Sequence, residues 1–167
     1  MAIATETNVT TQVYRVYIKA APQAIWDAIT KPEWTERYGY GGRAEYDLRP
    51  GGKFRALTSG QMRSMGSPEV AVDGEVIEAD PPRRLVLTWR MVMDPEMAAE
   101  GFTRLTYEIE KVRGGGTKLT VTHDLKGAPK LAAVVEGQME SMGAGGGWSW
   151  ILSDMKTLIE TGSRLEG

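Results

Sequence analysis

"GGGWSWILSDMKTLIETG" runs from Gly145 to Gly162, and its periodicity decides how the rest of the chain must fold. Trp148, Ile151, Leu152, Met155, Leu158 and Ile159 recur at i, i+3, i+4, i+7 and onward, which is one apolar stripe of an α-helix. Asp154 and Lys156 fall off the stripe. Gly162 follows the last periodic residue, where a left-handed residue commonly ends a helix. A helix with one apolar face needs an apolar partner to cover it.

The glycines ahead of this helix raise a different question, because glycine-rich loops before helices often cradle phosphate. A dinucleotide loop needs Gly-x-Gly-x-x-Gly directly after a parallel strand. Counting from Gly143, the sixth residue is Trp148, and the Gly-Lys-Ser/Thr of a phosphate loop is absent. The run Gly143, Gly145, Gly146, Gly147 reads instead as a hinge and close-packing site, since glycine accepts unusual φ values and close backbone approach.

The partner lies upstream. "QVYRVYIKA" (Gln12 to Ala20) alternates, with Tyr14, Val16 and Ile18 on one side, the signature of a half-buried strand. In "APQAIWDAITKPEWTERY", Pro22 suits a first helical position, Ile25, Trp26 and Ile29 follow at helical spacing, and Pro32 opens a second short helix. Alternation then dominates, in the rows Ala44, Tyr46, Leu48; Leu85, Leu87, Trp89, Met91, Met93; Leu105, Tyr107, Ile109; and Leu119, Val121, His123, Leu125. "KFRALTSGQ" and "VAVDGEVIEA" supply two more strands, "RPGG" and "RGGGT" are turns, and "SMGSPE" and "DPEMAAEG" are read as loops. Pro129 opens a helix carrying Leu131, Val134 and Val135. Strands with one apolar face must be covered, and the terminal helix is the element long enough to do so. The expected class is α+β.

The 167 residues make one domain, with residues 1–11 a polar tail and residues 12–167 the folded unit. The chain has no cysteine, which excludes disulfides and thiolate chemistry, and its single histidine excludes multi-His zinc sites. No metal and no cofactor is indicated. A formal net charge of −2 argues against nucleic acid as the main partner. No apolar run approaches the ~20 residues of a membrane span, and "MAIATETNVTTQ" lacks the pattern of a signal peptide, so a cytoplasmic location is expected.

Four stretches together resemble a known family. "APQAIWDAITKPEW", "YDLRPGGKFR", "GEVIEADPPRRLVLTW", and "GTKLTVTHDL" leading to "GGGWSWILSDMKTLIETG" are similar, in the same order, to the activator of 90-kDa heat-shock protein ATPase-like group of the START-like, or SRPBCC, superfamily. The resemblance implies a helix-grip fold, the fold of birch-pollen-allergen-like proteins. In it a curved antiparallel sheet of six to seven strands wraps a long C-terminal helix, with two short helices after the first strand. It implies a cavity between sheet and helix that takes lipids, polyketides or other apolar molecules.

Candidate residues follow from strand parity and the helical stripe. Tyr46, Trp89, Met91, Tyr107 and His123 come from the sheet, and Trp148, Ile151, Leu152 and Met155 from the helix, with Tyr38 and Met142 at the entrance. Trp148 has a plain alternative as a core residue. Trp150 is expected on the cavity wall or under the Pro129 segment. His123 is either a buried imidazole satisfied by partners or a ligand donor and acid–base group. The plentiful methionines suit an adaptable apolar pocket. By the same parity, Val121→Trp would fill that pocket.

The expected function is binding of a small hydrophobic or aromatic ligand, without catalysis. Two alternatives use the same fold. One is a cyclase- or hydrolase-type enzyme with His123 as its catalytic candidate. The other is a co-chaperone-like module that stimulates a chaperone ATPase. A chaperone partner is thus left open, as is a homodimer through an exposed edge strand.

Overall fold

The computed structural model describes residues 10–142 and 145–165. Among these residues the elements are β1 (Thr11–Ile18), α1 (Pro22–Thr30), α2 (Pro32–Thr35), β2 (Ala44–Tyr46), β3 (Lys53–Leu57), α3 (Gly60–Ser64), β4 (Val70–Asp80), β5 (Arg84–Met91), α4 (Pro95–Ala99), β6 (Thr103–Lys111), β7 (Thr117–Asp124), α5 (Pro129–Glu136) and α6 (Gly147–Thr161). A short 3-10 turn, Glu140–Met142, lies between the last two helices.

The strands form one antiparallel sheet in the order β1-β7-β6-β5-β4-β3-β2. Two register shifts, at Ala56/Leu57 in β3 and Val76/Glu78 in β4, bend it, because an extra residue in one strand increases local twist. This is the helix-grip fold that the family resemblance implied.

β1, β5, β6, β7 and α6 contribute to one buried apolar cluster. Leu85, Leu87, Leu105, Leu119 and Val121 share one core with Leu152 and Met155 of α6 and Ile25 of α1. α6 ends at Gly162, whose φ of 81° is the expected left-handed C′ conformation.

Several local readings differ. β1 begins at Thr11, within the expected tail, because Thr11 pairs with Asp124 and the Thr10 carbonyl accepts from Leu125 N at 2.6 Å. Residues 1–9 of that tail lie outside the described residues. The loop stretches "SMGSPE" and "DPEMAAEG" overlap α3 and α4. Each of these single turns starts from a polar cap: Ser59 Oγ accepts from Met62 N, and Asp94 Oδ1 accepts from Glu96 N. Such turns carry no apolar periodicity, so only their caps announce them.

Of the hinge and close packing expected of the glycine run, its described positions show the close packing. Gly147 has φ +69°, and an added Cβ would overlap the Val135 carbonyl at the end of α5. At Gly146 the same atom would meet Trp150 and Glu140, and at Gly145 the Tyr40 ring. Gly143 lies outside the described residues.

Candidate ligand cavity

Between the first turns of α6, α5 and strands β2 to β6 a half-open cavity of about 520 Å³ remains. Its floor and far wall come from β2 to β6: Ala44 and Tyr46, Phe54 and Ala56, Ala71 and Val72, Trp89 and Met91, and Tyr107. Its roof is Val134 and Val135 of α5 with Gly147, Trp148 and Ile151 from the first turns of α6. Tyr38, Gly39 and Tyr40 close one side, and Met62, Met93, Asp94 and Met97 another. The volume falls within the range of small-molecule pockets, and the aromatic and methionine lining is typical of them.

Polar groups in the lining are few and mostly engaged. Tyr38 Oη donates to Ala28 O at 2.7 Å, and Tyr40 Oη accepts from Gly147 N at 3.3 Å. Thr35 Oγ1 accepts from Ala44 N, and Thr58 Oγ1 donates to Pro68 O. Among the described residues the hydroxyls of Tyr46 and Tyr107 bond to no protein atom. Burial holds the phenols of Tyr38, Tyr46 and Tyr107 well above the ordinary tyrosine value, and the nearby Tyr107 adds to this for the other two. All three stay protonated near neutrality.

Behind the wall stands a relay of buried hydrogen bonds. Trp148 Nε1–H donates to His123 Nδ1 at 3.1 Å. That bond makes Nδ1 an acceptor and places the imidazole proton on Nε2, which lies 2.8 Å from Thr103 Oγ1. Thr103 in turn donates to Trp89 O at 2.8 Å. His123 is fully buried. Burial pushes its pKa down from 6.5 to about 3, against a weaker opposing pull from Asp124. The relay therefore holds a neutral imidazole whose two nitrogens are both in use, and it links two tryptophans that line the cavity.

A second buried polar group pins the entrance. Asp154 Oδ2 accepts from Gly39 N (2.9 Å) and from Arg164 Nε (3.1 Å) and Nη2 (2.8 Å), while Oδ1 accepts from Leu165 N at 2.9 Å. Arg164 also donates to Gly39 O at 2.8 Å. Burial pushes the Asp154 carboxyl up, but these donors outweigh it and hold its pKa below the usual aspartate value. Next to it Trp150 stacks on Tyr40, with ring centroids 5.8 Å apart at 15°.

Residues 19–160 match the family model described as Activator of Hsp90 ATPase homolog 1-like protein. The chain belongs to that family. Among curated proteins, none matches the sequence. Solved structures that it resembles include protein MLL2253 from Mesorhizobium loti, at 20% identity over 89% of this chain and 96% of that one, with a TM-score of 0.64. The Aha1 dimer from Colwellia psychrerythraea is 16% identical over 94% and 98% of the two chains, with a TM-score of 0.62. PFC0360w from Plasmodium falciparum, described as an HSP90 activator, is 23% identical over 78% and 89%, with a TM-score of 0.56. At these identities the likeness is one of fold.

In this member of the Activator of Hsp90 ATPase homolog 1-like family, Tyr46, Trp89, Met91, Tyr107, Trp148, Ile151 and Tyr38 line one cavity. His123, Leu152 and Met155 do not line it. Leu152, next to the cavity-lining Ile151, and Met155, one turn further on, are buried in the core, and His123 backs the Trp89–Trp148 wall. Val121 is likewise core, so Ala56 and Ala71 are the positions where a larger side chain would enter the cavity. Trp150 packs on Tyr40 rather than on the cavity wall or under α5. The side chain of Met142 lies outside the described residues. Reading by rows of large residues passed over Tyr40, Asp94 and the small residues Ala56 and Ala71. Phe54 and Ala56 share one parity in "KFRAL", and that was the available signal.

Proposed function

We propose that this chain binds a small apolar or aromatic molecule in the cavity between its sheet and α6. The observation that carries the reading is the cavity itself: about 520 Å³ walled by Trp89, Trp148, Tyr46, Phe54 and several methionines. Excluding an apolar molecule from water is the driving force such a lining supplies. The enzyme alternative draws no support from His123, whose nitrogens are both engaged inside the core.

Native mass spectrometry of protein purified from a cell extract tests the reading, with tryptophan fluorescence against apolar aromatic probes alongside. Trp89 and Trp148 line the cavity and will report on its occupant. A retained small mass, and quenching that Ala56→Phe and Ala71→Phe abolish, is the expected result. Protein that carries no mass and quenches with no probe would overturn it.

The family and the Plasmodium relative described as an HSP90 activator support a second reading, stimulation of a chaperone ATPase. That role would tolerate Ala56→Phe, whereas ligand binding would not. The Colwellia relative's dimer supports a homodimer here as well, which light-scattering mass would detect.

A further inference from the structure

We propose that the cavity receives a neutral, flat, apolar molecule carrying a hydrogen-bond-accepting oxygen of the carbonyl or quinone kind, to which Tyr46 and Tyr107 donate. This rests on the binding reading above and specifies its ligand.

Tyr107 is nine-tenths buried, and Tyr46 is stacked on Phe54 with centroids 4.8 Å apart. Neither hydroxyl has a partner among the described residues, yet no described side-chain oxygen or nitrogen is both sealed from solvent and unbonded. Each hydroxyl therefore reaches open space, and the space these two residues line is the cavity. An apolar occupant that displaces water from these hydroxyls without offering an acceptor would strand them at a cost, so the position calls for an acceptor in the occupant.

The two donors come from distant strands. β2 and β6 stand four places apart in the sheet order, which in a flat sheet would separate them by about 19 Å. The bends in β3 and β4 curl the sheet so that both rings face one space.

Charge sets the rest of the chemistry. No Lys, Arg or His stands among the described lining residues, and the charged group there is Asp94. One Asp94 oxygen caps α4, and the carboxylate repels an anion. A carboxylate or phosphate inside would be desolvated with no cation to meet it. Flat indole and phenyl walls favour a flat occupant.

The test uses three naphthalenes of nearly one shape, titrated calorimetrically into the full chain at neutral pH. They are 2-acetylnaphthalene, its hydrocarbon isostere 2-isopropenylnaphthalene, and anionic 2-naphthoate. The ketone should bind about tenfold tighter than the hydrocarbon, and the naphthoate weakest. In Tyr46→Phe/Tyr107→Phe the ketone's advantage should vanish while the hydrocarbon binds as before. Equal binding of ketone and hydrocarbon, naphthoate binding as tight as the ketone's, or a preference that survives in the double variant would each overturn the proposal while leaving the cavity reading intact. Failure of the wild-type protein to bind any of the three would overturn both. The naphthoate comparison needs no variant, so it stands even if the double variant folds poorly.

Discussion

The indole N–H of Trp148 donates to Nδ1 of His123 across 3.1 Å, and that single bond fixes which imidazole tautomer the fold can hold. A protonated His123 would carry a hydrogen on Nδ1 and could not accept. The unfolded chain has no such restriction. As pH falls below about 6.5 it takes up a proton that the folded protein refuses until about pH 3. Stability is therefore full above 6.5 and falls by about 1.4 kcal/mol per pH unit below it. His123 is the chain's single histidine, so the slope between pH 6.5 and 5 belongs to it, above the range where carboxylates titrate. Urea midpoints at pH 7, 6 and 5 measure it. Equal midpoints would show that His123 protonates without cost.

Asp154 predicts a loss of a different kind. Its carboxylate joins Gly39 to Arg164 and Leu165, sequence neighbours of neither. Asp154→Ala strands the Gly39 and Leu165 amides and the partly exposed Arg164 guanidinium and should cost about 3–5 kcal/mol, at roughly 1–3 kcal/mol for each donor left unsatisfied. Arg164→Ala keeps both backbone donors on the carboxylate and should cost less, about 1–3 kcal/mol. Because the Asp154 pKa is depressed in the fold, its contribution is present above the ordinary aspartate range and is lost as pH falls through and below it. Denaturant unfolding of both variants at pH 7 checks the order. A larger cost for Arg164→Ala would contradict it.

These two buried polar groups mark the limit of what the sequence made legible. Apolar rows are set by local period, so the strands, the terminal helix and the facing Trp89, Tyr107 and Trp148 could be read directly. Asp154 falls off the helical stripe, and nothing in the local pattern marks it for burial. It is buried because residues 164–165 fold back over it, a tertiary event without a local pattern. Strand parity turns His123 inward, where the fold buries it, but parity does not distinguish a cavity wall from the layer behind it. That distinction depends on how the curled sheet, α5 and the first turns of α6 close around one another. The same gap explains why Leu152 and Met155 share a stripe with Trp148 yet lie in closed core.

The glycines at the start of α6 should behave unequally with glycines elsewhere. Gly147→Ala must hold an alanine at φ +69° and displace the Val135 carbonyl. The backbone conformation alone costs about 1–3 kcal/mol, and the overlap adds to it. Gly60, in α3, has open space around a Cβ, so Gly60→Ala should be neutral or stabilising by about 0.4–1 kcal/mol. Thermal midpoints of the two variants decide. Similar shifts would mean that the α5–α6 junction yields freely.

Three cavity tyrosines provide the sharpest internal comparison. Tyr38 Oη donates to Ala28 O at 2.7 Å, one of the carbonyls that the last turn of α1 leaves without a helical partner. Removing that hydroxyl strands the carbonyl, so Tyr38→Phe should cost about 0.5–1.5 kcal/mol in the empty protein. Tyr46→Phe and Tyr107→Phe remove hydroxyls that no described protein atom uses. They should leave the urea midpoint unchanged or raise it, since an unpartnered phenol is replaced by a ring that needs no partner. A ligand with an accepting oxygen should reverse the ranking. It would raise the wild-type midpoint by mass action and raise those of Tyr46→Phe and Tyr107→Phe less, while Tyr38→Phe should gain as much as wild type. If all three variants lost equal stability without ligand, the hydroxyls of Tyr46 and Tyr107 would already have partners within the fold.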